Sequence, residues 1–348
     1  MYSAGSAISY LSVRARLPKM TREQMERGGL VDVPCLRGNM LVPPTDLPLA
    51  LAAGRRSNAE RFQRLAAKCK VSEAEIKDLA AAVVDVLTGG PLPVDQIRER
   101  IPPKLIRNFG EEGRLLGETS SLPVALRDLQ AHGRVLRVPE NLRWDANRYV
   151  YRLNKPPKKM ADAKVDRELA RRFFRWAGPA TLDEFAFWAN LGKGAAQSAI
   201  KGLKLERVEV TGWSNEAYQE PRAPKPAPSA LKLLPFRDNY LYFRRNMAVF
   251  LDPQHRQVRL LDIKNQLKPL AIQQMLHHHA IVLDGRLIGA WEYDPERQEI
   301  AWTVWEEARG VDRAVEEMAE YIRRELGDLK FYAFDAGKGR RIRIESLR

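Results

Sequence analysis

Cysteine is scarce: the 348 residues contain two, Cys35 and Cys69, too few for a disulfide framework or a multi-cysteine zinc module. No apolar run approaches the ~18–20 residues of a membrane span, and the N-terminus lacks the basic-then-apolar layout of a signal peptide. Histidine is also rare, with five in the chain, three of them consecutive at His277-His278-His279. Neighbouring strand residues point to opposite faces, and no carboxylate or cysteine stands at ligand spacing. The run therefore predicts a solvent-facing strand start, not a metal site. Cys35 follows Pro34 without any local catalytic signature and is expected in the core. Walker A and dinucleotide fingerprints are absent, since Gly337-Lys338-Gly339 lacks a strand–turn–helix setting. The pairs Glu111-Glu112 and Glu316-Glu317 read as solvated faces. What remains is a cytoplasmic, multi-domain chain, expected to need no metal and no cofactor.

Positive charge is what the sequence has in excess. Lys and Arg number 58 against 44 Asp and Glu, a net charge of +14. Up to residue 155 the balance is +8, and beyond it +6. A surplus spread this evenly suits a surface that follows a polyanion over some length, because each neutralised phosphate releases counterions. Hydrophobic residues make up 45%, enough for packed cores. At ~100–200 residues per domain, two or three domains are expected.

Two stretches read as linkers: Lys155-Pro156-Pro157-Lys158-Lys159, and Glu220 to Ser229 with its four prolines. Between them, Lys164 to Ala177 has Val165, Leu169, Phe173 and Trp176 at helical spacing. Gly178-Pro179 ends that helix. Thr181-Leu182-Asp183-Glu184 fits a capping box opening a second helix, which buries Leu182, Phe185 and Trp188. A third helix over Lys193–Leu203 leads to Val208 and Val210, a turn at Thr211-Gly212, and a return through Trp213 and Tyr218. Three short helices and a hairpin make a winged-helix layout. The same order recurs at 72–153. Ser72-x-x-Glu75 caps a helix through Ile76, Leu79, Val83 and Leu87, and Val94–Ile101 gives a second. Ser121 to Gly133 gives a third, followed by a hairpin pairing Val135–Val138 with Tyr149–Leu153.

Winged helices lay the third helix in the major groove and the wing along the backbone. The groove candidates are then Arg127, Lys193, Gln197 and Lys201, with Arg134, Arg137, Arg143 and Arg148 on the wings. The same fold also serves as a protein–protein module, so both roles stay open here. Further on, Ala280 to Trp291 holds two apolar runs around Asp284-Gly285, a hairpin signal. Glu299–Trp305 reads as a strand, Val311–Leu326 as an amphipathic helix, and Ile342–Ile344 as a last strand. The expected fold is α+β: tandem winged-helix modules followed by a C-terminal β-rich, barrel-like domain. The boundaries are a partial first module at 1–70, a second at 71–155, a third at 160–220, and the β-rich domain at 229–348.

Four segments carry a family resemblance. Gly178-Pro179-Ala180-Thr181-Leu182-Asp183-Glu184-Phe185 resembles the GPATLxDF signature of the winged-helix crosslink-repair DNA glycosylases, the AlkZ/YcaQ-like family. Leu233-Leu234-Pro235-Phe236-Arg237-Asp238-Asn239-Tyr240-Leu241 is similar to that family's LLPxFDxYL segment. Leu283 to Trp291 resembles its LVDGRVVGTW hairpin, and Arg37-Gly38 through Asp46-Leu47 its RGTLHLVPxxDL stretch. The resemblance implies a monomer bound to double-stranded DNA, alkylated or crosslinked, that hydrolyses the N-glycosidic bond of alkylated bases. A nucleoid-associated, cytoplasmic place follows from such a partner. The resemblance adds Arg14, Arg16, Arg37, Asp238, Tyr240, Arg244 and Arg286 to the DNA-binding candidates. For Asp238 and Tyr240 a second role fits equally: Asp capping a turn and Tyr filling the barrel.

The departures bear on catalysis. In the family a Gln-x-Gln or Gln-x-Asp motif lies about ten residues before the segment matching Ser9 to Arg16, and it is thought to position the water and stabilise charge on the sugar. The matching positions fall near Tyr2 and Ala4, and no Gln precedes Gln24. Asn39-Met40-Leu41 replaces the family histidine, and Arg237 replaces the Phe before the Asp. Two expectations follow. Either the sequence begins at an internal Met with the motif upstream, or this is a non-catalytic member that binds DNA. A winged-helix transcription regulator without chemistry is the alternative from another class.

Overall fold

Three helices open on reciprocal caps that the sequence spells out. The Ser72 hydroxyl accepts from the Glu75 amide at 3.2 Å, while the Glu75 carboxylate accepts from the Ser72 amide at 2.7 Å. Thr181 and Glu184 do the same at 3.1 and 2.7 Å, as do Thr21 and Gln24. Each pair satisfies two amides that a helix start leaves orphaned. The computed structural model describes residues 6–210, 213, 216–221, 231–329 and 337–348. The expected turn at Thr211-Gly212, most of the proline-rich segment after Glu220, and the positions near Tyr2 and Ala4 lie outside them.

Contacts divide the chain into two units: Gly29–Asp166, and the residues up to Gly28 together with those from Arg167 onward. In the first, hairpin Val31–Cys35 and Gly38–Val42 precedes helices Leu47–Cys69 and Glu73–Leu87. The short strand Leu92–Pro93, helices Val94–Arg100, Gly110–Leu115 and Ser121–Ala131, and strands Val135–Pro139 and Tyr149–Leu153 follow. The Leu92 strand pairs with the last strand. Asp32 stands opposite Arg137, which joins the leading hairpin to the later one in a single five-stranded sheet. Leu79, Val83, Ile97, Leu122, Leu126 and Leu129 form the buried core of this unit, on the faces that the 3.6-residue period specifies. Cys35 is buried as expected.

Helix Asp162–Ala177 begins in the first unit and leads, in the second, into strand Ala180–Thr181, helices Leu182–Ala189 and Lys193–Ile200, and strands Glu206–Val208 and Ala217–Gln219. The last strand lies between the other two. Trp176 continues the helical spacing of Val165, Leu169 and Phe173 but does not share their burial. It is 62% exposed in the last turn of its helix, with Trp188 as its aromatic neighbour.

The C-terminal sheet is open. Its order is Glu299–Val304, Arg286–Asp294, His279–Leu283, Leu231–Leu234, and no pairing among the described residues closes it into the expected barrel. Helices take the place of closure: Val311–Tyr321 packs on the two edge strands and Lys338–Glu345 on the strands from Arg286 and Glu299. Leu287 through Asp294 are all buried, so both faces are covered. That covering also corrects the histidine run. His277, His278 and His279 are buried, not solvent-facing. His278 Nδ1 lies 3.1 Å from Glu292, which accepts from Arg343 Nε at 3.0 Å. The expected strand at Ile342–Ile344 is part of the Lys338–Glu345 helix. Alternating Arg and Ile mimic a strand period, but the buried residues are Arg340, Arg343, Ile344 and Leu347, a helical face. The two arginines turn inward because Asp328 and Glu292 await them.

Candidate functional site

Helix Ile8–Arg16 places Ser12 and Arg16 one turn apart on one face, as the i,i+4 relation requires. Opposite them, strand Leu231–Leu234 ends at Pro235-Phe236, and Arg237 takes a left-handed backbone (φ 59°). That turn aims Asp238 at the helix. The Asp238 carboxylate accepts both Arg16 Nη1 and Nη2 at 2.8 Å, the Ser12 hydroxyl at 2.8 Å and the Tyr240 amide at 2.9 Å. It is 1% exposed, whereas the Arg16 side chain is 51% exposed. Burial opposes the charged guanidinium, but the hydrogen bonds and Coulomb attraction to Asp238 hold the pKa of Arg16 above its ordinary value. Asp238 therefore fills the turn-capping role, starting helix Asn239–Tyr242.

Arg16 and Asp238 line one side of a cavity of about 560 Å³, with Phe173, Trp176, Trp188, Tyr240, Phe243 and Arg244 around it. Small-ligand sites fall at about 300–1,000 Å³ with mainly aromatic walls and a few placed polar groups. The aromatic wall is interlocked: Trp188 meets Trp176 edge-on at 5.9 Å and Phe243 at 6.2 Å, and lies tilted on Phe173 at 5.3 Å. Arg244 donates to the carbonyls of Ala177 and Pro179, the latter at 2.9 Å, with Glu184 3.7 Å away. Burial pushes the Glu184 carboxyl up against the pull of Arg244. Burial likewise raises the Tyr240 phenol, which donates to the Gly285 carbonyl at 2.8 Å. No group of three metal-ligating side chains occurs among the described residues.

The model of the family described as DNA glycosylase AlkZ-like matches residues 6–324. The chain belongs to this family. The structure of Streptomyces sahachiroi DNA glycosylase AlkZ is similar, with a TM-score of 0.65 at 20% identity over 91% of this chain and 87% of that one. At that identity the likeness speaks for the fold. No curated protein matches by sequence.

Of the sequence candidates in this AlkZ-like chain, Arg16, Asp238, Tyr240 and Arg244 converge on the cavity. The others do not. Arg14 lies over the Tyr321 ring at 4.7 Å, and Arg286 pairs with Glu306 at 2.7 Å. Arg127 binds the buried Glu118, which Arg61 also reaches at 2.6 Å. Arg137 binds Asp32 and lies over Tyr149 at 4.0 Å, and Arg143 pairs with Asp145 at 2.7 Å. Arg37, Arg134, Arg148, Gln197, Lys193 and Lys201 are exposed, with Lys193 3.9 Å from Asp183. Sequence reasoning missed Ser12 and the aromatic wall. Ser12 lay inside the family-like segment Ser9 to Arg16, but nothing local marks a serine whose partner comes from a distant turn.

Proposed function

We propose that this AlkZ-like protein binds duplex DNA through winged-helix modules and hydrolyses the N-glycosidic bond of alkylated bases. The observation that carries this reading is the aromatic-walled cavity with the half-exposed Arg16 anchored on buried Asp238. Enzymes that act on a base take it out of the stack and hold it between aromatic or apolar side chains. The helix–strand–helix–helix–strand–strand order at 162–219, and the same order at 73–153 with the extra helix Gly110–Leu115 inserted, supports winged-helix modules. The exposed Lys193, Gln197 and Lys201 on or beside helix Lys193–Ile200 would face the major groove, and Arg134 would meet the backbone. An N-alkylated purine is a cationic leaving group, so stabilising charge on the sugar suffices for much of the acceleration.

One feature favours a second reading, lesion binding without excision. A carboxylate offers about four lone-pair sites, and the Asp238 carboxylate accepts from four donors, leaving it a poor base for water. The two readings separate in one experiment. The full chain is incubated with duplexes carrying 7-methylguanine or an interstrand crosslink, and abasic sites are counted. Excision above the spontaneous rate supports the glycosylase; lesion-selective binding with no abasic sites supports the binder. Absence of duplex binding overturns both.

A further inference from the structure

We propose that Trp176 is the stacking platform for a nucleobase taken out of the duplex into this cavity, an inference that rests on the DNA-binding reading above. An indole 62% exposed forgoes the burial that drives large aromatic rings inward. This one is nevertheless fixed in place. It meets Trp188 in an edge-to-face contact, with ring centroids 5.9 Å and planes 86° apart, and Trp188 is itself buried. The chain after it is held as well, because Arg244 ties the carbonyls of Ala177 and Pro179. Trp176 thus presents a ring that is both accessible and preorganised, and preorganisation removes part of the ordering cost of binding.

The chemistry around the ring selects a flat, polar-edged ligand over an aliphatic one. Arg16, half exposed with its guanidinium plane fixed by two bonds to Asp238, offers donors at the cavity's side. Tyr240, 37% exposed, adds a second aromatic surface. A nucleobase has both the π-face for Trp176 and the hydrogen-bonding edge for Arg16. A base carrying a positive charge gains further from the electron-rich indole face. Arg244 serves here by holding the chain that follows Trp176, through its bonds to the Ala177 and Pro179 carbonyls.

The test compares affinities of the full chain for two short duplexes, identical except for one 7-methylguanine on a 2′-fluorinated sugar that resists hydrolysis. Wild type is expected to prefer the lesion duplex. Trp176→Ala should weaken lesion binding about tenfold, within the ~5- to 160-fold that loss of one base–aromatic stack implies, and leave intact-duplex binding unchanged. Trp176→Phe should retain most of the preference, since a smaller ring still stacks. Circular dichroism melts of both variants check that folding is unaltered. A wild type that binds both duplexes equally, or a Trp176→Ala variant with undiminished preference, overturns the platform while leaving duplex binding intact. A wild type that binds neither duplex overturns the functional reading itself.

Discussion

Arg16 and Asp238, separated by 222 positions, meet in a two-pronged ion pair with both N–O distances at 2.8 Å. The pair joins the Ile8–Arg16 helix to the turn after strand Leu231–Leu234 and so sets one wall of the cavity. Asp238→Asn would turn an amide toward the Arg16 guanidinium and set donor against donor. We expect a loss of about 1.5–3 kcal/mol, the range for hydrogen bonds to charged groups. Urea unfolding should show a lower midpoint with unchanged slope; an unchanged midpoint contradicts the assignment.

The buried histidines give the fold an acid sensitivity. His279 Nδ1 accepts from the Phe236 amide at 2.9 Å, and its ring stacks on Trp291 at 4.2 Å. Burial first, then Arg343 and Arg340 against the opposing pull of Glu292, lowers its pKa to about 4. An unfolded histidine titrates near ~6.5, so on acidification the unfolded chain takes up the proton first. The stabilisation is whole above that value and is lost as pH falls toward 4, by about 2 kcal/mol at pH 5 from this imidazole. Melting temperatures from pH 7.5 to 5 should drop more steeply for wild type than for His279→Phe. Parallel curves would refute it.

Gly54 sits within helix Leu47–Cys69, where alanine alone would be favoured by about 1 kcal/mol. A Cβ there would collide with the Pro34 carbonyl oxygen and stand 2.7 Å from its carbon. Gly54→Ala should therefore destabilise by about 1–3 kcal/mol, the usual cost of overpacking. Chemical denaturation reads the sign directly, and a stabilised variant would show that the helix can move off the strand.

Duplex affinity should fall with salt at a log–log slope of about −0.9 for each phosphate neutralised. Alanine at Lys193 or at Lys201 is expected to make that slope shallower by about 0.9 if the side chain meets a phosphate. Fluorescence anisotropy over a salt series measures it. A flat response in wild type removes DNA as the partner.

Local rules made much of this chain readable. The reciprocal caps at Ser72 and Thr181 are short-range hydrogen bonds between residues three apart, and helical stripes such as Leu122, Leu126 and Leu129 follow from the period alone. The Asp284-Gly285 hairpin was equally legible, since a two-residue turn fixes the pairs next to it, although a bulge shifts the register beyond Val282. Four degenerate segments in order were enough to point to the family. What the sequence alone determined was thus local geometry, charge and kinship. Only the tertiary structure decided which side chains are buried, because that depends on what covers them. Helices over the sheet turned His277–His279 inward, and Asp328 and Glu292 drew Arg340 and Arg343 onto a buried helical face. The cavity belongs to the same class of fact. Ser12, Arg16, Trp176 and Asp238 carry no common local signal, and they share a site because three separate segments converge there.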